Sequence, residues 1–223
     1  MEIFNTYGLR LKCVKFINYS YLIVEKSSNK ACIIDPSWEL AKIERAISNL
    51  KVNLQFILLT HAHFDHINLA ECIARKYDID VYMSEQEIQA TSFKCYKLHA
   101  LNDGDRIELG KSSVRCMLTP GHTKGSMSYS VDNKLFTGDF IFIEGCGICP
   151  CEKDAEEMYL SINKVLKEFN DETLIYPGHS YGIAPGKTLS YIKRNNIYFN
   201  FSNVSDFAQF RLRDGQTDLF SFK

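Results

Sequence analysis

The chain has 223 residues, 45% hydrophobic and 24% charged, with a formal net charge of −1. That length suits one domain with a substantial core, so 1–223 is expected to form a single unit. The balanced charge gives no field favouring nucleic acid or an anionic membrane as partner, and no apolar run approaches the ~20 residues needed to span a bilayer.

The N-terminus, Met1-Glu2-Ile3-Phe4-Asn5, lacks a basic stretch followed by an apolar one, so no secretory signal is expected. On that reading the eight cysteines (13, 32, 72, 95, 116, 146, 149, 151) are reduced thiols of a cytoplasmic protein. Several behave as small buried hydrophobes, as in Ala31-Cys32-Ile33-Ile34. Residues 9–15 alternate apolar and charged, which predicts a half-buried strand, and 19–24 continue in that style. After the turn Ser27-Ser28-Asn29-Lys30, a third strand over 31–34 ends at Asp35-Pro36. Leu40, Ile43, Ile47 and Leu50 share one helical face, predicting a helix over 38–50.

A strand over 54–60 leads into Thr60-His61-Ala62-His63-Phe64-Asp65-His66, and a helix with core face Leu69, Ala70, Ile73 and Ala74 follows. A short strand at 80–83 and a helix starting near Ser84 precede the turn Asn102-Asp103-Gly104-Asp105. Strands are expected near 105–109, 113–118, 127–131, 134–137 and 173–176. Between the last two, Asp154 with Glu157 reads as a helix cap, and Met158, Ile162, Val165, Leu166 and Phe169 as that helix's core face. Strands dominate, with helices between groups of strands, which predicts an α+β fold of two packed sheets with outer helices. A tail holding Phe199, Phe201, Phe207, Phe210, Phe220 and Phe222 is expected to pack over the core near the site.

The stretch 61–66 places four potential metal ligands within six residues, directly after the apolar run 56–59. Imidazole nitrogens and carboxylate oxygens suit zinc, and also iron or manganese. Three further expected strand ends carry a potential ligand after a glycine: Gly121-His122, Gly138-Asp139 and Gly178-His179. Glycine lets the backbone turn sharply and approach closely, so the next side chain can be aimed into a shared pocket. Of six histidines only His99 lies outside these segments, and it reads as a surface or locally bonded residue. His61, His63, Asp65, His66, His122, Asp139 and His179 together suit two metal ions sharing a carboxylate and a water.

These segments resemble the metallo-β-lactamase superfamily, from Asn18-Tyr19-Ser20-Tyr21-Leu22-Ile23 through Ile34-Asp35-Pro36 to His179. The resemblance implies a four-layer αβ/βα sandwich of two mixed β-sheets. It implies one metal on His61, His63 and His122, another on Asp65, His66 and His179, and Asp139 bridging. Thr137-Gly138-Asp139 speaks against the true β-lactamases, and Ala62 against the diiron flavoprotein branch. The Gly145-Cys146-Gly147 loop, Met158-Tyr159-x-Ser161 and Gly178-His179-x-Tyr181 look most like glyoxalase II and its relatives. Phe142-Ile143-Glu144-Gly145-Cys146-Gly147 and the chain's size are similar to small zinc hydrolases encoded with bacterial polyketide synthases.

The function so implied is a binuclear zinc hydrolase of acyl thioesters, linked to a small thiol or an acyl carrier protein. In it, hydroxide held between two Zn2+ attacks the carbonyl and Asp65 both ligates and orients that hydroxide. An iron persulfide dioxygenase with one metal and a lactone hydrolase are the alternatives from the same superfamily. Asp35 either holds the outer ring N–H of a histidine or serves a turn or helix cap. Tyr181 matches a tyrosine contacting the thiol carrier in glyoxalase II, or packs as a buried tyrosine. Ile148 replaces the basic residue that follows the Gly-Cys-Gly loop there, which speaks against glutathione. Lys193, Arg194, Arg211 and Arg213 are candidates for binding a carrier's phosphate or carboxylate. Cys146, Cys149 and Cys151 are spaced as a redox or extra metal site would be, but no second cysteine pair answers them, and they read as ordinary thiols.

Overall fold

Alternation along one strand shows how the layers are made. In β2 (Phe16–Glu25), Tyr21 and Ile23 point to one side and Leu22 and Val24 to the other, all of them buried. A strand of that kind is covered on both faces. The computed structural model describes residues 2–215 and contains two six-stranded sheets. The first runs β1 (Phe4–Cys13), β2, β3 (Lys30–Ile34), β4 (Asn53–Leu58), β5 (Asp80–Ser84) and β6 (Leu98–Leu101). Its first three strands are antiparallel and the rest parallel. The second comprises β7 (Arg106–Leu109), β8 (Ser112–Leu118), β9 (Met127–Val131), β10 (Lys134–Gly138), β11 (Leu174–Pro177) and β12 (Lys187–Thr188) in that order across the sheet. There only the β10–β11 pair is parallel.

Three cores result. Between the sheets, Tyr21, Ile23, Ile34 and Phe56 meet Val114, Cys116, Tyr129 and Phe136. On the far side of the first sheet, α1 (Leu40–Leu50) and α3 (Ala70–Tyr77) set Ile43, Ile47 and Ile73 on Leu22, Ile33 and Ile57. On the far side of the second, α5 (Glu152–Glu168), α6 (Leu189–Asn195) and α7 (Val204–Arg211) set Met158, Ile162, Ile192 and Phe207 on Leu135 and Ile175. This is the α+β four-layer sandwich of two mixed sheets with outer helices. Short helices α2 (Phe64–Ile67) and α4 (Glu85–Thr91) follow the C-terminal ends of β4 and β5. No helix among the described residues is long and apolar enough to cross a membrane.

The structure departs from the expected elements at three places. The strand expected over 9–15 starts at Phe4 and ends at Cys13, because Val14 and Lys15 form the turn of the β1–β2 hairpin. Helix α5 begins at Glu152, with Cys151 as its N-cap residue, so Asp154 lies inside the first turn and accepts from Cys151 Sγ at 3.0 Å. Strands β6 and β12 and helices α6 and α7 were not expected. Each is eight residues or fewer, and short elements owe their stability to tertiary packing rather than to local pattern. Phe199, Phe201, Phe207 and Phe210 pack against the outer core of the second sheet, and Phe220 and Phe222 lie outside the described residues.

Candidate metal centre

The seven side chains converge where the C-terminal ends of strands from both sheets meet. His61, His63, Asp65 and His66 follow β4, His122 follows β8, and Asp139 and His179 follow β10 and β11. Backbone bonds hold the two edges together here. Tyr19 N–H donates to Gly178 O at 2.8 Å and Met127 N–H to Thr60 O at 2.9 Å. Close approach leaves no room for larger residues: a Cβ on Gly138, whose φ is +51°, would lie 2.4 Å from Thr60 Oγ1. One on Gly178 would lie 2.6 Å from the His66 ring and 2.7 Å from Asp139 Oδ1.

Three groups of ligand atoms each fall within 4.8 Å: His61, His63 and His122; His61, His66 and Asp139; Asp65, His66 and His179. His63 Nδ1 lies 3.0 Å from both His61 Nε2 and His122 Nε2. Nitrogens about 2.0–2.1 Å from a shared tetrahedral zinc stand ~3.3 Å apart, so this spacing fits a common cation. On the other side, His179 Nε2 is 3.2 Å from Asp65 Oδ2 and 3.4 Å from Asp139 Oδ2, and His66 Nε2 is 3.3 Å from Asp139 Oδ1. His66 Nε2 and Asp139 Oδ1 are both buried without a hydrogen-bond partner. Buried polar atoms are nearly always satisfied, so an unpartnered nitrogen facing an unpartnered oxygen fits a cation held between them.

The outer ring nitrogens fix which nitrogen turns inward. His122 Nδ1–H donates to Ile148 O at 2.9 Å and His179 Nδ1–H to Ile17 O at 2.7 Å. A carbonyl only accepts, so Nε2 is in each case the nitrogen turned to the centre, where it can bind a cation once any proton on it is displaced. Thr60 gives its hydroxyl proton to Asp35 Oδ2 at 2.6 Å and so receives His61 Nδ1–H at 3.0 Å. Asp35 also takes Thr60 N–H at 2.8 Å and His66 Nδ1–H at 2.9 Å. Of the two roles open to Asp35 in the sequence, the structure places it against a histidine's outer N–H.

Charge follows from these contacts. Burial opposes ionisation of Asp139 and Asp65, but the neighbouring histidines outweigh it and hold both carboxyls well below the usual range. Burial also opposes charge on His179, yet Asp139 and Asp65 raise it to about 9. For His122 burial prevails and lowers it to about 4. Without a cation the centre thus keeps protons on His66 and His179 that a cation would displace.

The centre forms the floor of a cavity of about 400 Å³ with walls that include Phe16, Ile17, Phe142, Ile148, Pro150 and Tyr181. Lys193 and Arg211 do not line it. Lys193 Nζ is paired with Asp171 on the surface at 2.5 Å. Arg211 is 1% exposed, and its Nε–H donates to Gly147 O at 2.8 Å, so it braces the cavity wall from behind. Arg213 contacts Phe210 O and the Tyr198 hydroxyl. Burial pushes the Cys149 thiol up to about 12 and also raises the Cys146 thiol well above its ordinary value, and no ligand group among the described residues includes a cysteine. His99 stands apart, bonded to Asp80.

Two residues that position the centre were not singled out in the sequence. Asn18 Nδ2 donates to Asp65 O at 2.9 Å and Oδ2 at 3.0 Å, and its Oδ1 accepts Trp38 Nε1–H at 2.7 Å. Glu87, buried on α4, accepts Ala62 N–H at 2.9 Å with one oxygen and Gly125 N–H at 3.0 Å with the other. It thereby ties the 61–63 loop to the loop after β8. Single polar residues of this kind carry no spacing signal.

A family model of the metallo-beta-lactamase superfamily matches residues 14–179. The chain is 39% identical, over 99% of its length and 98% of the relative's, to the probable polyketide biosynthesis zinc-dependent hydrolase PksB of Bacillus subtilis. It is 33% identical to the cytoplasmic hydroxyacylglutathione hydrolase of Arabidopsis thaliana, covering 80% of this chain and 70% of that one. Among solved structures, a metallo-beta-lactamase from Staphylococcus aureus superposes with a TM-score of 0.84 at 28% identity, covering 96% of this chain and 68% of the other.

Proposed function

The chain belongs to the metallo-beta-lactamase superfamily, and from that premise we propose that it is a zinc-dependent hydrolase of acyl thioesters working with two ions. The convergence of seven ligand side chains, five of them lining one largely apolar cavity and His61 and His66 buried beneath it, carries this reading. His61 Nε2, His63 Nδ1 and His122 Nε2 would hold one ion. Asp65, His66 Nε2 and His179 Nε2 would hold the other, with Asp139 reaching both sides through its two oxygens. The relatives named as a zinc-dependent hydrolase and as a hydroxyacylglutathione hydrolase support the metal and the bond cleaved.

Bound zinc supplies a water that ionises near neutral pH and a Lewis acid for the carbonyl. The chain's own residues do the rest. Asp65 is kept ionised, and Asn18 fixes its Oδ2, so that oxygen would accept a hydrogen bond from the attacking water or hydroxide and set its direction. Phe16, Ile17, Phe142, Ile148 and Pro150 exclude bulk water and seat the acyl chain, which strengthens the electrostatics at the floor. The thiolate leaves with little acid assistance. Ile148 in the wall puts an apolar contact where a glutathione carboxylate would need a cation, favouring another thiol carrier, such as an acyl carrier protein in polyketide biosynthesis.

Metal analysis and thioester turnover on one preparation test the reading. About two zinc per chain, with turnover abolished in His63→Ala, is the expected result. About one iron per chain, with oxygen consumed on a persulfide and no thioester cleaved, overturns it.

A further inference from the structure

The cavity opens beside a surface that, Phe16 apart, the hydrolytic chemistry does not use. At the tip of the β1–β2 hairpin, Val14 has a φ of +53° and is 95% exposed. A β-branched residue is strained in left-handed backbone, and glycine or asparagine would serve the turn at lower cost. An apolar side chain fully in water also adds nothing to the core. Beside it runs a row of rings: Phe16 stacks on Trp38 at 6.1 Å between centroids, and Trp38 meets Phe64 edge-on at 5.8 Å. Phe64 is 69% exposed although it lies between His63 and Asp65. The Trp38 indole is anchored on Asn18, so the row has a fixed base.

Cations border this row. Lys15 lines the cavity mouth next to Phe16. Lys12 pairs in register with Ile17, another cavity residue, and its backbone N–H donates to Glu39, next to Trp38. Arg10 lies two residues back on the same strand face. None of Arg10, Lys12 and Lys15 forms an ion pair among the described residues, and Glu39 pairs with Lys42 at 3.7 Å.

We propose that Lys12, Val14, Phe16, Trp38 and Phe64 form the docking surface for an acidic acyl carrier domain that delivers its thioester into the cavity. The proposal rests on the thioesterase reading and narrows its substrate from any thioester to a protein-borne one. Unpaired cations around an apolar centre select an acidic partner. Phe16 belongs to both the rim and the cavity wall, so an acyl group tethered to a partner seated there enters directly. A thioester of a small thiol needs only the cavity and leaves the rim unexplained. A second copy of the chain fits poorly, because a two-fold contact would set these cations against their own counterparts.

The test uses the whole chain and the variant Lys12→Glu/Val14→Asp, neither residue being a ligand or part of the cavity wall. Fluorescence anisotropy measures binding of an acidic, phosphopantetheinylated acyl carrier protein. Parallel assays compare acetyl-carrier with acetyl-N-acetylcysteamine. The expected result is carrier affinity and carrier kcat/KM about tenfold lower in the variant, with the N-acetylcysteamine value unchanged and wild-type binding weakened by salt. Wild type that does not bind the carrier, or a variant that binds it equally well, overturns the docking surface. Lys12→Glu alone, on an exposed strand face, repeats the comparison with the turn untouched. Wild type that binds the carrier yet cleaves neither thioester refutes the thioesterase reading and leaves the docking surface standing on the binding arm.

Discussion

The Asp35 carboxylate receives the Nδ1–H of His66 at 2.9 Å, across from the end of one strand to the helical turn after the next. The same oxygen takes the Thr60 hydroxyl, which in turn orients His61. One carboxylate thus sets the direction of two imidazoles through their outer nitrogens. Asp35→Asn keeps the size and removes the charge that polarises both rings. Zinc affinity, measured by competition with a chelator, is expected to fall about 10–100-fold while the far-UV circular dichroism is unchanged. Affinity equal to wild type would refute this role.

Removing one half of the ligand set separates the two proposed ion positions. His179→Ala is expected to retain about one zinc per chain and to lose hydrolysis, since His61, His63 and His122 remain intact. Elemental analysis of the dialysed protein reads the count. Loss of all zinc would mean that the two positions fill only together.

Loading the metal-free protein has a predictable pH dependence. His179 is raised to about 9 and His66 is also raised, so both carry protons at pH 7.5 that zinc must displace. At least two protons, those of the two imidazoles, are therefore expected to leave per chain loaded, with any from ionised bound water in addition, and affinity to rise as pH goes from 7 towards 9. Titrations in buffers of different ionisation enthalpy measure the release. The sign reverses for stability without metal: a raised histidine stabilises the fold fully below its unfolded value of 6.5, and that contribution is lost as pH rises through about 9.

Glu87 satisfies two backbone donors from two loops, one with each oxygen. Glu87→Gln turns one of those oxygens into an amide NH2 facing an N–H, leaving a buried donor unsatisfied. A destabilisation of about 1–3 kcal/mol is expected, read as a lower midpoint in urea. A midpoint equal to wild type would show that one of the two bonds is dispensable.

Gly178→Ala places a methyl group against the His66 ring and Asp139 Oδ1. Those neighbours are themselves held on their other sides, so they cannot yield freely. The substitution is expected to cost about 1–3 kcal/mol and to lower zinc content even where the fold survives. Full zinc content in the folded variant would contradict the close packing.

The sequence made the ligand-bearing segments legible because each combines a buried strand with a chemically distinctive end. The 61–66 stretch carries its own spacing, and His122, Asp139 and His179 are marked by the glycines before them. Asn18, Glu87 and Trp38 were not legible, since each acts through hydrogen bonds that only tertiary packing sets up. Arg211 misled for the same reason: a basic residue near the end of the chain reads as solvated or ligand-binding, yet packing draws it under the Gly147 carbonyl. The hairpin turn at Val14 was hidden because valine is among the residues least suited to it.

The two sheets contribute unequal parts of one ligand set, four side chains from the end of β4 and three from the ends of β8, β10 and β11. Neither half of the sandwich can bind as the whole does. A filled centre therefore acts as a rivet, formed only when the halves have met with their strand ends aligned. Chelation should loosen that seam before it disturbs either sheet, so hydrogen exchange at Tyr19 and Met127, whose amides cross the seam, would rise first.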